Sequence, residues 1–142
     1  MFCLLGLHTA FAQTAEEAAI IKVCHEETKA FLANNPEGQK PYNKTAPYNR
    51  LLLSLLDGTV GATGGDLPNG DAMPPPTWPA GMTLTTSNHN VHVNGNMAFI
   101  AYDQALGFPD GNKMHLHNLT VLEKEGGKWL IVALTVIEYK PK

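Results

Sequence analysis

The feature that most constrains the fold of this chain is a pair of hairpin patterns in its C-terminal half. Residues 82–105 contain two strand-like runs around Asn94-Gly95, and residues 113–139 contain two more around Gly126-Gly127. Asn94-Gly95 favours a type I′ turn, because that turn needs positive φ at its two central residues, and Gly126-Gly127 marks the turn of the second hairpin. The connection LGFPDGN, residues 106–112, carries residues suited to a further antiparallel turn. The pattern predicts four long, sequence-adjacent antiparallel strands.

A helical pattern precedes these strands. Residues 14–36, TAEEAAIIKVCHEETKAFLANNP, place Ile20 and Cys24 on one apolar stripe. Thr14 followed by Glu17 is typical of a capping box, and Asn34-Asn35-Pro36 ends the pattern. We therefore expect one long helix starting at Thr14 and covering one face of the sheet, with Cys24 as a buried thiol.

Residues 36–81 are irregular in sequence. They hold eight of the ten prolines and seven of the thirteen glycines. RLLLSLLDGTVGATGG, residues 50–65, fits either a short helix or two short strands, and its Asp-Gly turn favours strands. Three consecutive prolines make residues 66–81 a loop.

The length of 142 residues suits one domain, and a net charge of −3 with a pI near 6.0 argues against nucleic acid as a partner. Residues 1–12 combine the apolar run FCLLGL with AFA, the small-x-small pattern of a signal-peptide cleavage site. No Lys or Arg precedes Lys22, so the charged start of such a signal is missing. We expect a truncated signal at 1–12, a single domain at 13–142, and a periplasmic or secreted location. No later stretch approaches a membrane span, and we expect no membrane partner.

Two histidines lie two residues apart in the third strand pattern, KMHLHNLTV. Counting pairs outward from Gly126-Gly127 sets His117 opposite Val136 and His115 opposite Glu138. A hairpin with Ala105 opposite Lys113 would then bring Asp103 opposite His115.

This register predicts an aliphatic face that includes Phe99 and ends in a polar row. The row consists of Asp103, His115 and Glu138, with His117 beside it. Apolar walls with a few convergent polar groups are typical of a small-molecule pocket. The opposite face, with Tyr102 and Trp129, is equally apolar. One face would be covered by the helix and the other by a second subunit or by residues 36–81, so we expect a homodimer.

A metal site is the alternative reading of the two histidines. His-x-His on a strand is similar to the cupin pattern, which needs Glu four or five residues after the second His and a later His. Here Glu123 is six residues after His117, and no histidine follows. The chain also lacks a G-x-S-x-G elbow and a phosphate loop. The sequence predicts no metal site and no cofactor.

Three stretches carry a family resemblance: IIKVCHEETKAFLANN, VHVNGNMAFIAYDQ and LTVLEKEGGKWLIV. With them the chain resembles the nuclear transport factor 2-like superfamily, which includes SnoaL-like and ketosteroid isomerase-like proteins. The resemblance covers the helix and the C-terminal half, but residues 36–81 only poorly. It implies an α+β fold, a cystatin-like cone in which a long N-terminal helix packs on a curved antiparallel sheet of four main strands.

Three functions are compatible with this resemblance. The first is an exported protein that binds a small apolar or amphipathic molecule, with the polar row as lining and Tyr48 and Arg50 at the pocket mouth. The second is an acid–base enzyme of isomerase or cyclase type that uses the same cluster. The third is a structural dimerisation module. No catalytic residue of the family can be matched to a position here.

Overall fold

The computed structural model describes residues 5–64 and 76–142 as two helices, a short 3₁₀ helix and six strands. The helices are α1 (Leu5–Leu32) and α2 (Pro36–Gln39), followed by the 3₁₀ helix Lys40–Tyr42. The strands are β1 (Arg50–Ser54), β2 (Val60–Gly64), β3 (Thr83–Asn94), β4 (Met97–Gly107), β5 (Lys113–Glu125) and β6 (Lys128–Tyr139). Among the described residues, no helix has the length and apolar character needed to cross a membrane.

The six strands form one sheet in the order β2-β1-β6-β5-β4-β3. The four long strands make the antiparallel meander that the hairpin patterns predict. The prediction of four main strands was incomplete, because β1 and β2 extend the sheet beyond β6. They form the hairpin favoured by Asp57-Gly58, and β1 pairs with β6 in parallel. Residues 66–75 of the segment predicted as loop lie outside the described residues.

Helix α1 is longer than the capping box predicted. It begins at Leu5, continues through Thr14 and ends at Leu32. Beyond its end, Asn34 adopts a left-handed φ of 53°. The residue that follows, Asn35, caps α2 by accepting a hydrogen bond from the Gly38 amide at 2.9 Å. Segment 36–81 therefore begins with a short second helix that its irregular composition did not predict.

One face of the sheet, which we call the inner face, packs against α1. Ile20 and Cys24 on the helix meet Ile100, Tyr102 and other inner-face residues in a continuous buried core. The remaining members of this core cluster are Ala98, Leu122, Trp129 and Ile131. A second cluster under the end of the helix joins Leu32, Leu106, Leu116 and Val136. Burial of this apolar surface is the main force that holds the helix on the sheet.

Two turns differ from their predicted positions. The β3–β4 turn is Gly95-Asn96 rather than Asn94-Gly95, so Asn94 pairs with Met97. The β4–β5 connection is tighter than predicted, with Gly107 opposite Lys113 and Ala105 opposite His115. Both corrections move residues by an even number of positions, so the faces of β4, of β5 and of β3 from Asn90 onward remain as predicted. The Gly126-Gly127 turn is confirmed, with φ values of 56° and 79°.

A β-bulge in β6 moves each later side chain of the strand to the opposite face of the sheet from the one predicted. Leu122 pairs with Ile131, but Val121 pairs with Ala133, which leaves Val132 as the extra residue. Ile131 and Val132 are both buried, and the Ile131 carbonyl accepts the Lys44 amide at 2.9 Å. Beyond the bulge, Leu134, Val136 and Glu138 belong to the inner face, opposite to the predicted arrangement.

Candidate functional site

The other face of the sheet, the outer face, is not covered by any described element. Six of its apolar side chains are between 41 and 80% exposed. These side chains are Leu52, Val60, Met97, Phe99, Leu119 and Ile137. Strand pairing places them all on one side, because directly opposite residues share a face. So many exposed large apolar residues on one surface are typical of an interaction site.

A hydrogen-bonded network of three side chains lies on this outer face. Asp103 on β4 is directly opposite His117 on β5, and its Oδ1 is 2.7 Å from His117 Nδ1. Its other oxygen accepts a hydrogen bond from Asn88 Nδ2 at 2.6 Å. Asn88 reaches it from a bulge in β3, where its φ is 54°. The hydrogen bonds from Asn88 and then from His117 lower the pKa of Asp103, so this carboxyl group is ionised at neutral pH.

His115 leans away from this network. It is opposite Ala105 rather than Asp103, and its ring lies against Tyr139 on β6 with centroids 6.0 Å apart. The two histidines thus turn toward different neighbouring strands. In the part of the chain that the structure describes, no three His, Cys, Asp or Glu side chains are grouped to hold a metal ion.

Glu138 is separated from the predicted row by the β6 bulge. It pairs with Leu116 on the inner face, and its Oε2 accepts a hydrogen bond from the Leu56 amide at 3.0 Å. The structure therefore brings together only two of the four predicted polar residues, Asp103 and His117. A two-residue shift in the β4–β5 register and one extra residue in β6 account for the difference.

The three other predicted site residues lie away from Asp103. Phe99 is on the outer face, stacked on His92 with ring centroids 5.0 Å apart. Arg50 is in β1, opposite Ala133 on the same face. Tyr48 donates a hydrogen bond to Glu123 Oε2 at 2.9 Å, and this contact is at the opposite end of the sheet.

The Tyr48 contact is part of a charged cluster that ties the 43–49 segment to β5. Lys44 Nζ lies 2.6 Å from Glu123 Oε2 and 3.1 Å from Glu125 Oε2. The hydrogen bond from Lys44, followed by that from Tyr48, lowers the pKa of Glu123, and Glu123 raises the pKa of Lys44. The charges and hydrogen-bonding groups of this cluster pair with one another. The cluster is therefore best explained as a structural contact that holds segment 43–49 on β5.

A buried polar cluster on the inner face was not predicted. Gln104 Nε2 donates to Thr28 Oγ1 at 3.1 Å, and Thr28 donates to the Cys24 carbonyl at 3.0 Å. Asn118 Nδ2 and Thr120 Oγ1, beside them on β5, are buried without a hydrogen-bond partner of good geometry. Polar residues at inward positions of an otherwise apolar strand, as in LHNLTVL, are the sequence signal for such a cluster.

Burial controls the acid–base properties of this cluster. It raises the pKa of the Cys24 thiol to about 12, and the Thr120 hydroxyl nearby only partly opposes the change. Burial also raises the pKa of Tyr102. On the adjacent turn of α1, burial raises the pKa of Glu27, although Glu27 accepts hydrogen bonds from Gln39 at 2.7 Å and Asn43 at 3.4 Å.

An open groove of about 640 Å³ lies between the end of α1 and the chain entering β3. His25, Lys29, Leu32 and Trp78 are among its lining residues. Asn34 fixes one wall by donating to the Trp78 carbonyl at 2.9 Å and accepting from the Trp78 amide at 2.8 Å. The volume falls in the range of ligand sites, but the groove opens widely to solvent.

Comparison with known proteins identifies the fold. No family model matches the sequence, and no curated protein matches it. Solved structures do match. An NTF2-like protein with a cystatin-like fold from Novosphingobium aromaticivorans is 11% identical, covering 100% of this chain and 94% of its own, with a TM-score of 0.65. An NTF2-like protein of unknown function from Silicibacter pomeroyi is 14% identical, covering 89% and 98%, with a TM-score of 0.66.

A third similar structure is the association domain of CaMKII from C. elegans. It is 18% identical, covers 88% of this chain and 97% of its own, and has a TM-score of 0.64. The chain therefore has the cystatin-like fold of the NTF2-like proteins, which confirms the fold implied by the sequence resemblance. This fold supports many functions, so function must be argued from the residues.

Proposed function

We propose that this protein is a self-associating module that forms a homodimer through its outer face. The observation that carries the proposal is the row of exposed apolar side chains on that face, Leu52, Phe99, Leu119 and Ile137 among them. Water contact with this surface is unfavourable, at about 25 cal/mol per Å² of apolar area. A second copy of the same face would remove it from water on both partners at once.

The size of the face supports a second copy as its occupant. Four strands of 11 to 13 residues, at about 4.8 Å spacing and about 3.4 Å rise per residue, cover roughly 700 Å². A stable interface of standard size buries about 800 Å² per partner. The structural neighbour named as the association domain of CaMKII further supports assembly as a use of this fold.

The test is the molar mass in solution of the wild-type chain and the variant Leu119→Asp, measured by sedimentation equilibrium. Leu119 is exposed in the middle of the outer face, so the variant should be monomeric at concentrations where the wild type is dimeric. Leu56→Asp is the matched control, because Leu56 is similarly exposed but lies in the turn after β1. Dissociation of both variants, or of neither, would contradict the assignment of the outer face.

Binding of a small amphipathic molecule is a second candidate, and the inner polar cluster favours it. Asn118 Nδ2 and Thr120 Oγ1, which are buried without a hydrogen-bond partner of good geometry, are the kind of groups that a ligand or ordered water satisfies. The acid–base alternative has less support, because Asp103 and His117 lie on an open face.

Thermal-shift screening of amphipathic alcohols and carboxylic acids, with Thr120→Val as the comparison variant, tests the binding candidate. Stabilisation of the wild type but not the variant would support it, and equal response would reject it.

Export remains a proposal that rests on the apolar run and the AFA pattern of residues 1–12. Mass spectrometry of the protein recovered from a bacterial periplasm would test it. A mature N-terminus at Gln13 is expected, and an uncleaved chain retained in the cytoplasm would contradict it.

A further inference from the structure

The Asp103–His117 pair lies inside the area that a second copy would cover. On the outer face His117 has Leu119 as its neighbour along β5 and Ile137 opposite it on β6. Both are among the exposed apolar side chains, at 44 and 47%. A partner that covers Leu119 and Ile137 must therefore also cover His117, whose side chain is 53% exposed, and Asp103, at 22%.

The geometry of the pair fixes where a proton can bind. An ionised carboxylate only accepts hydrogen bonds, so the 2.7 Å contact to Asp103 requires the proton of His117 to be on Nδ1. Nε2 is then the nitrogen that gains a proton when the ring becomes charged. Asn88 holds the second carboxylate oxygen at 2.6 Å and prevents the carboxylate from turning away.

We propose that protonation of His117 strengthens the self-association of this protein. With His117 neutral, the pair carries one net negative charge, and covering it would bury a carboxylate held only by neutral donors. With His117 protonated, the pair is a neutral ion pair in contact geometry. Removing a net charge from water costs more than removing a paired one, so association should bind protons. The inference rests on the proposed function, since it needs a second copy on the outer face.

Other groups near His117 do not reverse the expected direction of this pH dependence. Across β4 it faces Asp103 alone among charged side chains, and from β3 only Ser87 and Asn88 reach the same row. On β5 and β6 the titratable neighbours on this face are His115 and Tyr139. Glu138 is on the inner face. Among the described residues, His115 is therefore the other imidazole near His117 on this face, and it needs its own control.

The experiment measures the dimer dissociation constant by sedimentation equilibrium at about pH 6 and about pH 8, at constant ionic strength. For the wild type we expect the dissociation constant to be about tenfold lower at the acidic pH. The direction follows from linkage, because association that takes up protons is favoured at low pH. His117→Gln should lose most of this dependence, whereas His115→Gln should keep it. Asp103→Asn should reverse it, because a protonated His117 would then be buried without its counter-charge. Circular dichroism at both pH values confirms that each variant is folded.

The outcomes separate this inference from the proposal beneath it. A wild type that dimerises equally well at both pH values, or more tightly at pH 8, overturns the inference and leaves the dimer standing. A chain that remains monomeric at both pH values overturns the dimer and the inference together. Retention of the full pH dependence in His117→Gln would assign the effect to another group and reject the role of His117.

Discussion

Cys24 shows how a residue's surroundings decide its chemistry. The thiol lies in the core between α1 and the sheet, and burial raises its pKa to about 12. Because the thiolate is the reactive form, the thiol should be inert at neutral pH. In a Cys3→Ser chain we expect no reaction with an aromatic disulfide reagent at about pH 8 until urea unfolds the protein. Rapid labelling of the folded chain would show that the core opens locally.

Glu27 is a carboxyl group placed where its charge is unfavourable. Its pKa is raised by burial, despite two amide donors. The group therefore favours folding below its unfolded pKa of about 4.3, and this contribution is lost as the pH rises through the higher folded-state value. At neutral pH, where the unfolded chain carries this group ionised, its burial opposes folding.

Replacement of Glu27 by Gln should consequently raise the free energy of unfolding at about pH 7, by about 1 kcal/mol. The gain should shrink toward zero near pH 4, where the native carboxyl group is itself protonated. Urea denaturation at both pH values measures it, with Glu37→Gln on exposed α2 as the control. A large loss of stability in Glu27→Gln at neutral pH would show instead that the carboxylate's hydrogen bonds outweigh its desolvation.

The site residues illustrate what a sequence can and cannot provide. Alternation along β4 and β5 was sufficient to place Asp103, His115 and His117 on one face. It could not select which histidine meets Asp103, because that depends on how many residues the 108–112 turn uses. It also could not place Glu138, since no sequence signal marked Val132 as an extra residue in β6.

At the scale of elements, the β5–β6 turn depends on glycine for its backbone alone. Gly126 has a φ of 56°, and a Cβ added there would meet nothing within 4 Å. Gly126→Ala should therefore cost about 1 kcal/mol of stability without any steric clash. Gly126→Asn, a matched variant, should cost clearly less because Asn tolerates the left-handed conformation. Equal losses in urea denaturation would indicate a contact rather than a conformational cause.

Elements with strong local signals were the ones that the sequence predicted. The long helix, the four-strand meander and the short β1–β2 hairpin all follow from periodicity and from turn dipeptides. The parallel pairing of β1 with β6 was not predicted, because it joins distant parts of the chain and leaves no local pattern. The β-bulges in β3 and β6 were not predicted for a similar reason, because each is one residue inserted into a continuous strand.

For the whole molecule, self-association should appear in thermal stability. A dimer that unfolds to monomers gains stability with concentration by mass action, which is about 2.7 kcal/mol for a hundredfold increase. For a chain of this size we expect Tm to rise by about 4 °C over that range. Scanning calorimetry of the wild type and Leu119→Asp measures the effect, and the variant should show no dependence. A Tm of the wild type that is independent of concentration would argue against the dimer.

The parallel pairing of β1 with β6 also sets an order of assembly. Arg50 pairs with Ala133, and the difference between the two numbers is 83 positions. The meander strands are joined by short turns and can pair early, whereas β1 must wait for a contact with a much larger loop-closure cost. During synthesis, β1 and β2 leave the ribosome long before their partner strand exists. The hairpin they form has no sheet to join until β6 has emerged, so its strand edge is unpaired during that interval.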